Sequence, residues 1–137
     1  MQVHGKRGNQ PAGAAYNNGG TCTWVNCMFW KNSATANTAG AVYNNTGGTI
    51  NLKNSTLNNN FCGSSQGRRW VNNSTSNANI TNCIFWGNKH SLSVDGPANS
   101  EIVNFSGTLN VANTIWQGQT PSGTIYNVDA PRQCDHG

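Results

Sequence analysis

The side chains able to do chemistry are few. Asp95, Glu101, Asp129 and Asp135 are the whole acidic complement of 137 residues, and His4, His90 and His136 are the only histidines. Glycoside hydrolysis needs two carboxyl groups facing one bond, and a calcium site needs several charged oxygens around one ion. These acids fall at no equivalent positions of adjacent repeats and are too sparse for either. Lys89, His90, Asp95 and Glu101 share one stretch and are the best catalytic candidates, but they are expected to be solvated loop residues. No catalytic residue is therefore assigned. The cysteines, Cys22, Cys27, Cys62, Cys83 and Cys134, form no CxxC pair, and the histidines stand at no zinc-site spacing. Neither a metal nor another cofactor is expected. Disulfides remain open for an exported protein, though an odd number leaves one thiol over.

What must position these residues is a repeat. Thr21 to Asn32 reads TCTWVNCMFWKN, Thr49 to Asn60 reads TINLKNSTLNNN, Asn77 to Asn88 reads NANITNCIFWGN, and Thr108 to Gln119 reads TLNVANTIWQGQ. Each run alternates polar and apolar residues, the period of a half-buried strand. Each then reaches an Asn, a small Cys, Ser or Thr, a variable position, and Phe, Leu or Trp. The Asn falls at Asn26, Asn54, Asn82 and Asn113, at intervals of 28, 28 and 31 residues. Such a period marks a solenoid, whose units bury their faces only against their neighbours. No segment has a helical period. Strands at three per coil then pair in parallel with their equivalents one repeat away, which is a parallel β-helix.

Stacking at the strand spacing, about 4.8 Å, turns equivalent residues into columns. Phe29, Leu57, Phe85 and Trp116 make an aromatic-rich core column, beside Cys22, Ile50, Ala78, Leu109 and Trp24, Leu52, Ile80, Val111. Asn26, Asn54, Asn82 and Asn113 are read as a buried structural ladder at a corner, with amides bonding from coil to coil. Cys27 and Cys83, with Ser55 and Thr114, are read as small buried residues. With Phe29 inward, Met28, Trp30, Ile84, Trp86 and Ile115 form an outward apolar strip. Trp30 and Trp86 would lie two coils apart, about 10 Å, close to the length of a disaccharide. The plainer expectation is that the loops 31–39 and 87–100 cover the strip.

Only 9% of residues are charged, against about a quarter in an ordinary globular chain, while Asn alone contributes 24 residues. The regular apolar positions argue for order despite this polar composition. The net charge of +4 is scattered, without the basic patch of a nucleic-acid binder, so no nucleic-acid partner is expected. The first twenty residues hold no apolar run, so neither a signal peptide nor a membrane span is expected. That leaves open whether Met1 starts a cytosolic protein or belongs to a fragment of a longer one.

The runs GAVYNNTGGTINLKNSTLNNN and ANITNCIFWGN resemble the coils of right-handed parallel β-helix proteins of the pectin-lyase-like superfamily. That superfamily includes the polymorphic outer-membrane-protein repeats of bacterial surfaces. NTIWQGQTPSGTIYN is similar to their closing coils. The resemblance implies an all-β, right-handed parallel β-helix (solenoid) of about four to five coils over residues 13–128, with no substantial helix. Residues 1–12 are then a lead-in and residues 129–137 a tail. It also implies an extracellular or cell-surface location. The expected function is a non-catalytic structural or adhesive module, self-assembling end to end into filaments or a surface layer. Its partner would be a second copy or a longer parent β-helix. The alternatives are a carbohydrate-binding or polysaccharide-lyase-like β-helix using the Trp strip, with a polysaccharide as partner, and a trimeric phage fibre or tailspike segment.

Overall fold

The alternating runs become strands that pair only with their own equivalents. The computed structural model describes residues 1–5, 7–8, 11–35, 39–63, 68–90, 101–117 and 124–126. A partial coil comes first, with β1 (Gln2–His4) and β2 (Arg7–Gly8). Three complete coils follow. They comprise β3 (Ala15–Asn18), β4 (Thr21–Val25), β5 (Met28–Trp30) and β6 (Ser33–Ala34), then β7 (Ala39–Asn45), β8 (Thr49–Lys53), β9 (Thr56–Asn58) and β10 (Phe61–Cys62). The third holds β11 (Arg68–Asn72), β12 (Ser76–Thr81), β13 (Ile84–Trp86) and β14 (Lys89–His90). The chain then continues through β15 (Ile102–Asn104), β16 (Gly107–Ala112), β17 (Ile115–Trp116) and β18 (Thr124–Tyr126).

Every pairing is parallel, and the strands form four sheets: A (β1-β5-β9-β13-β17), B (β2-β6-β10-β14), C (β3-β7-β11-β15) and D (β4-β8-β12-β16-β18). The fold is an all-β parallel solenoid with no helix among the described residues. It differs from expectation in three respects. It has about three complete coils rather than four to five, and four strands per coil rather than three. The fourth is the two-residue strand of sheet B, too short to carry a visible alternation. Within the expected lead-in, described residues are paired rather than loose: Gln2–His4 pair with Met28–Trp30, Arg7–Gly8 with Ser33–Ala34, and Ala12 bridges Ala39. The expected tail, 129–137, lies outside the described residues.

The core columns lie as read. Cys22, Ile50, Ala78 and Leu109 are in register, as are Trp24, Leu52, Ile80 and Val111 in the same sheet. Phe29, Leu57, Phe85 and Trp116 align in sheet A, each at most 3% exposed. Sheet C adds the column Val42, Trp70 and Ile102. Edge-to-face contacts tie the columns together, Trp24 to Phe29 at 5.5 Å and Trp70 to Phe85 at 5.8 Å between ring centroids.

Corners between sheets require left-handed backbone, and the sequence supplies it periodically. Asn26, Asn54, Asn82 and Asn113 have φ of 55°, 50°, 53° and 48°, and turn the chain from sheet D to sheet A. Asn tolerates this region better than other non-glycine residues. The corner from A to B repeats Gly5, Lys31, Asn59 and Gly87, all at positive φ, and the corner from C to D contains Gly47 and, one coil on, Thr75. Thr75, at φ 57°, is β-branched and exposed, so it carries a strain that its equivalent, Gly47, avoids. Thr75→Asn is therefore expected to stabilise the protein by about 1 kcal/mol. The check is a rise in the urea midpoint at unchanged slope.

Candidate functional site

Among the described residues, the most elaborate polar construction is internal. Where β3, β7, β11 and β15 end, Asn17, Asn44, Asn72 and Asn104 occupy one column, the first three of them buried. Asn17 Nδ2 donates to Asn44 Oδ1 at 2.9 Å, Asn44 to Asn72 at 2.8 Å, and Asn72 to Asn104 at 2.9 Å. The same amides reach the corner carbonyls of their own coil, Asn44 to Gly48 and Asn72 to Ser76, and of the next, Asn77 and Thr108. A Cβ at Gly48 would come within 2.7 Å of both the Asn17 and Asn44 amides, so glycine there makes room for the ladder.

A second buried ladder runs beside sheet A. Asn32 Nδ2 donates to Asn60 Oδ1 and Asn60 to Asn88 Oδ1, at 3.0 and 2.7 Å. Each also donates to a core-strand carbonyl, of Val3, Phe29 and Leu57 in turn. Asn88 then donates to Glu101 Oε2. Glu101, expected to be solvated, is 1% exposed and extends this ladder. Of its companions Lys89 and Asp95, Lys89 is exposed and Asp95 lies outside the described residues, as do Asp129 and Asp135. No group of three or more His, Cys, Asp or Glu could hold a metal among the described residues.

One reading needs correction and another is extended. Asn26, Asn54, Asn82 and Asn113 are exposed, not buried. One amide–amide bond joins them, from Asn82 to Asn54 at 3.2 Å, because the left-handed corner turns their side chains to solvent. Their register is right and their main role is backbone conformation. The Cys27, Ser55, Cys83, Thr114 column is more than small. Each side chain donates to the carbonyl two residues before it, those of Val25, Lys53, Thr81 and Ala112. Ser55 and Thr114 also accept from the Cys27 and Cys83 amides. What the position needs is a short donor, and Cys, Ser and Thr have that in common.

The outer face of sheet A holds the strip read from the sequence. Met28 and Ile84 flank Thr56 in register, and Ile115 follows Ile84. Met28, Ile84 and Ile115 are 39, 41 and 46% exposed. Trp30 and Trp86 are half-buried and stand either side of Asn58, which places them two strand spacings apart, about 10 Å. Lys31 Nζ lies 4.5 Å from the Trp30 ring centroid, a cation–π contact. The part of the loops expected to cover the strip that lies in 36–38 and 91–100 is outside the described residues.

Of the described cysteines, Cys22, Cys27 and Cys83 are free thiols and Cys62 is buried, while Cys134 lies outside the described residues. Burial pushes the Cys83 thiol up. Among the described residues no helix is long and apolar enough to cross a membrane. Compared with models of protein families, with curated proteins and with solved structures, the chain matches none.

Two outcomes follow from this geometry. Asn60 fills all its hydrogen-bonding capacity with Asn32, Phe29 and Asn88, so Asn60→Leu strands several buried groups and should cost about 3 kcal/mol or more. Asn82→Leu loses a corner residue suited to positive φ and one exposed amide bond to Asn54, and should cost about 1–2 kcal/mol. Urea denaturation of the two variants checks the order. Of the four described cysteines, half-exposed Cys22 should alkylate first and Cys83 last in the native protein. A raised thiol holds less of the reactive thiolate at any given pH. Mass spectrometry of partial labelling reads the sequence of events.

Proposed function

We propose that this protein is a non-catalytic structural and adhesive β-helix module of the pectin-lyase-like, bacterial-surface-repeat type, working outside the cell and assembling end to end. The observation that supports this is axial continuity. Four sheets and two buried amide ladders run along one direction, and each ladder amide donates to the following coil. Both strand direction and ladder direction are polar, so a stacked neighbour must add head to tail. Such a contact is heterologous and propagates. At the first complete coil β4 has a neighbour on one side only, and its inward Cys22 and Trp24 are half-buried where Ile50 and Leu52 are fully buried. A further coil, from a second copy or a longer β-helix, would complete that burial.

A second reading is binding of an extended polysaccharide on the outer face of sheet A. Trp30, Asn58 and Trp86 favour it, because two indoles about 10 Å apart with an amide between them match alternate sugars of a chain. Electron microscopy and light scattering over a concentration series separate the two. The expected result is filaments with an axial repeat of the coil stack, lost in Cys22→Lys, whose inward charge protects the open edge while circular dichroism stays unchanged. A monomer at all concentrations overturns the assembly reading and leaves the glycan one. A compact trimer would instead favour a fibre segment.

A further inference from the structure

The outer face of sheet D carries a second pattern that neither assembly nor the indole strip uses. Thr21 and Thr23 stand on β4, Thr49 and Asn51 on β8, Asn77 and Asn79 on β12, and Thr108 and Asn110 on β16, in unbroken register. The pairing continues from Asn110 to Thr124. Two residues along a strand span about 6.6 Å, and neighbouring strands lie about 4.8 Å apart. The eight side chains thus form a two-column rectangular array on one side of a parallel sheet. None of the eight is charged; a third outward column, Val25, Lys53, Thr81 and Ala112, borders the array and places one exposed lysine at its margin beside Asn51.

The array is also held in place. Asn110 Nδ2 donates to Asn79 Oδ1 at 2.8 Å, Asn79 to Asn51 at 2.9 Å, and Asn51 to Thr23 Oγ1 at 3.3 Å. These bonds fix the amide planes along the column, while the adjacent column of Thr21, Asn77 and Thr108 is exposed. Each ladder amide donates one N–H along the column, and the other N–H remains for a ligand. A surface ordered before binding loses little side-chain entropy on contact.

The eight residues themselves, inside the margin set by Lys53, form an uncharged lattice that offers an ion no attraction. It suits a rigid partner that repeats at the same two spacings and both donates and accepts hydrogen bonds. A solid glycan has hydroxyls but is usually gripped by aromatic faces, and the described indoles lie in the core or on sheet A. Frozen water needs no such platform. Its oxygens repeat on a prism face at nearly these spacings, each threonine hydroxyl can take the place of a lattice water, and the threonine methyls exclude liquid water between them. One such bond is worth about 1 kcal/mol, and many made at once by a rigid body become a lasting attachment. We propose that the two-column threonine and asparagine array on the outer face of sheet D binds ice.

The test is ice growth and recrystallisation in solutions of the purified protein, with three variants. The wild type should shape ice crystals and slow recrystallisation. Asn77→Lys and Thr108→Lys, each placing a charge in an exposed column, should lose most of that effect with unchanged circular dichroism and thermal midpoint. Phe61→Lys, on sheet B, should retain it. Unhindered ice growth by the wild type at millimolar concentration overturns the proposal, and so does equal activity in all four proteins. Retention on an insoluble polysaccharide without any effect on ice also overturns it, since the lattice partner would then be a solid glycan.

Discussion

In a parallel solenoid every side chain faces its own equivalent at one strand spacing, about 4.8 Å, and the rest of the structure depends on that constraint. A residue type is acceptable only if it can stack on itself. Like charges placed directly opposite repel, so a chain built this way avoids columns of Lys or Glu. The 9% charged content is a consequence. Among polar residues the primary amide meets the constraint best, because it carries a donor and an acceptor in one planar group. Asn17, Asn44 and Asn72 can therefore repeat without leaving an orphan, each giving its N–H to the next carbonyl. The abundance of Asn is thus a solution to stacking rather than a sign of disorder.

The ladders also explain how such narrow coils turn. A corner exposes carbonyls that no strand can pair, and buried ones cost about 1–3 kcal/mol each if unmet. The Asn44 amide meets the Gly48 carbonyl of its own coil and the Asn77 carbonyl of the next, so one side chain closes a corner and joins two coils. The corner after sheet D is closed differently. There Asn supplies the left-handed residue, and the following Cys, Ser or Thr bonds back across it. Register, corner and core column are consequently one cooperative unit.

Much of the fold was legible because apolar columns repeat visibly: Phe29, Leu57, Phe85 and Trp116 follow from spacing alone. Polar roles were less legible. Asn26 and Asn60 recur with the same period, so periodicity cannot tell which is a saturated buried amide and which an exposed corner. What separates them is backbone conformation, which turns Asn26 outward at φ 55° while Asn60 keeps out of the left-handed region and is buried. Glu101 was illegible for another reason. It departs from the ladder by type, reaching an Asn column from a different part of the coil. The strands of sheet B, two residues each, are shorter than one full alternation and leave no pattern to read.

The same constraint that orders the interior makes the exterior periodic, and the four faces need not be alike. Inward positions tolerate only apolar columns or polar columns that satisfy their own hydrogen bonds, whereas outward ones are free to differ from sheet to sheet. Sheet A uses that freedom for Met28, Ile84 and Ile115, and sheet D for threonine and asparagine. A single pocket would need residues from different columns to converge, which parallel columns resist. The partners we propose for such a molecule are accordingly repeating ones, whether the next coil, an extended chain or a lattice.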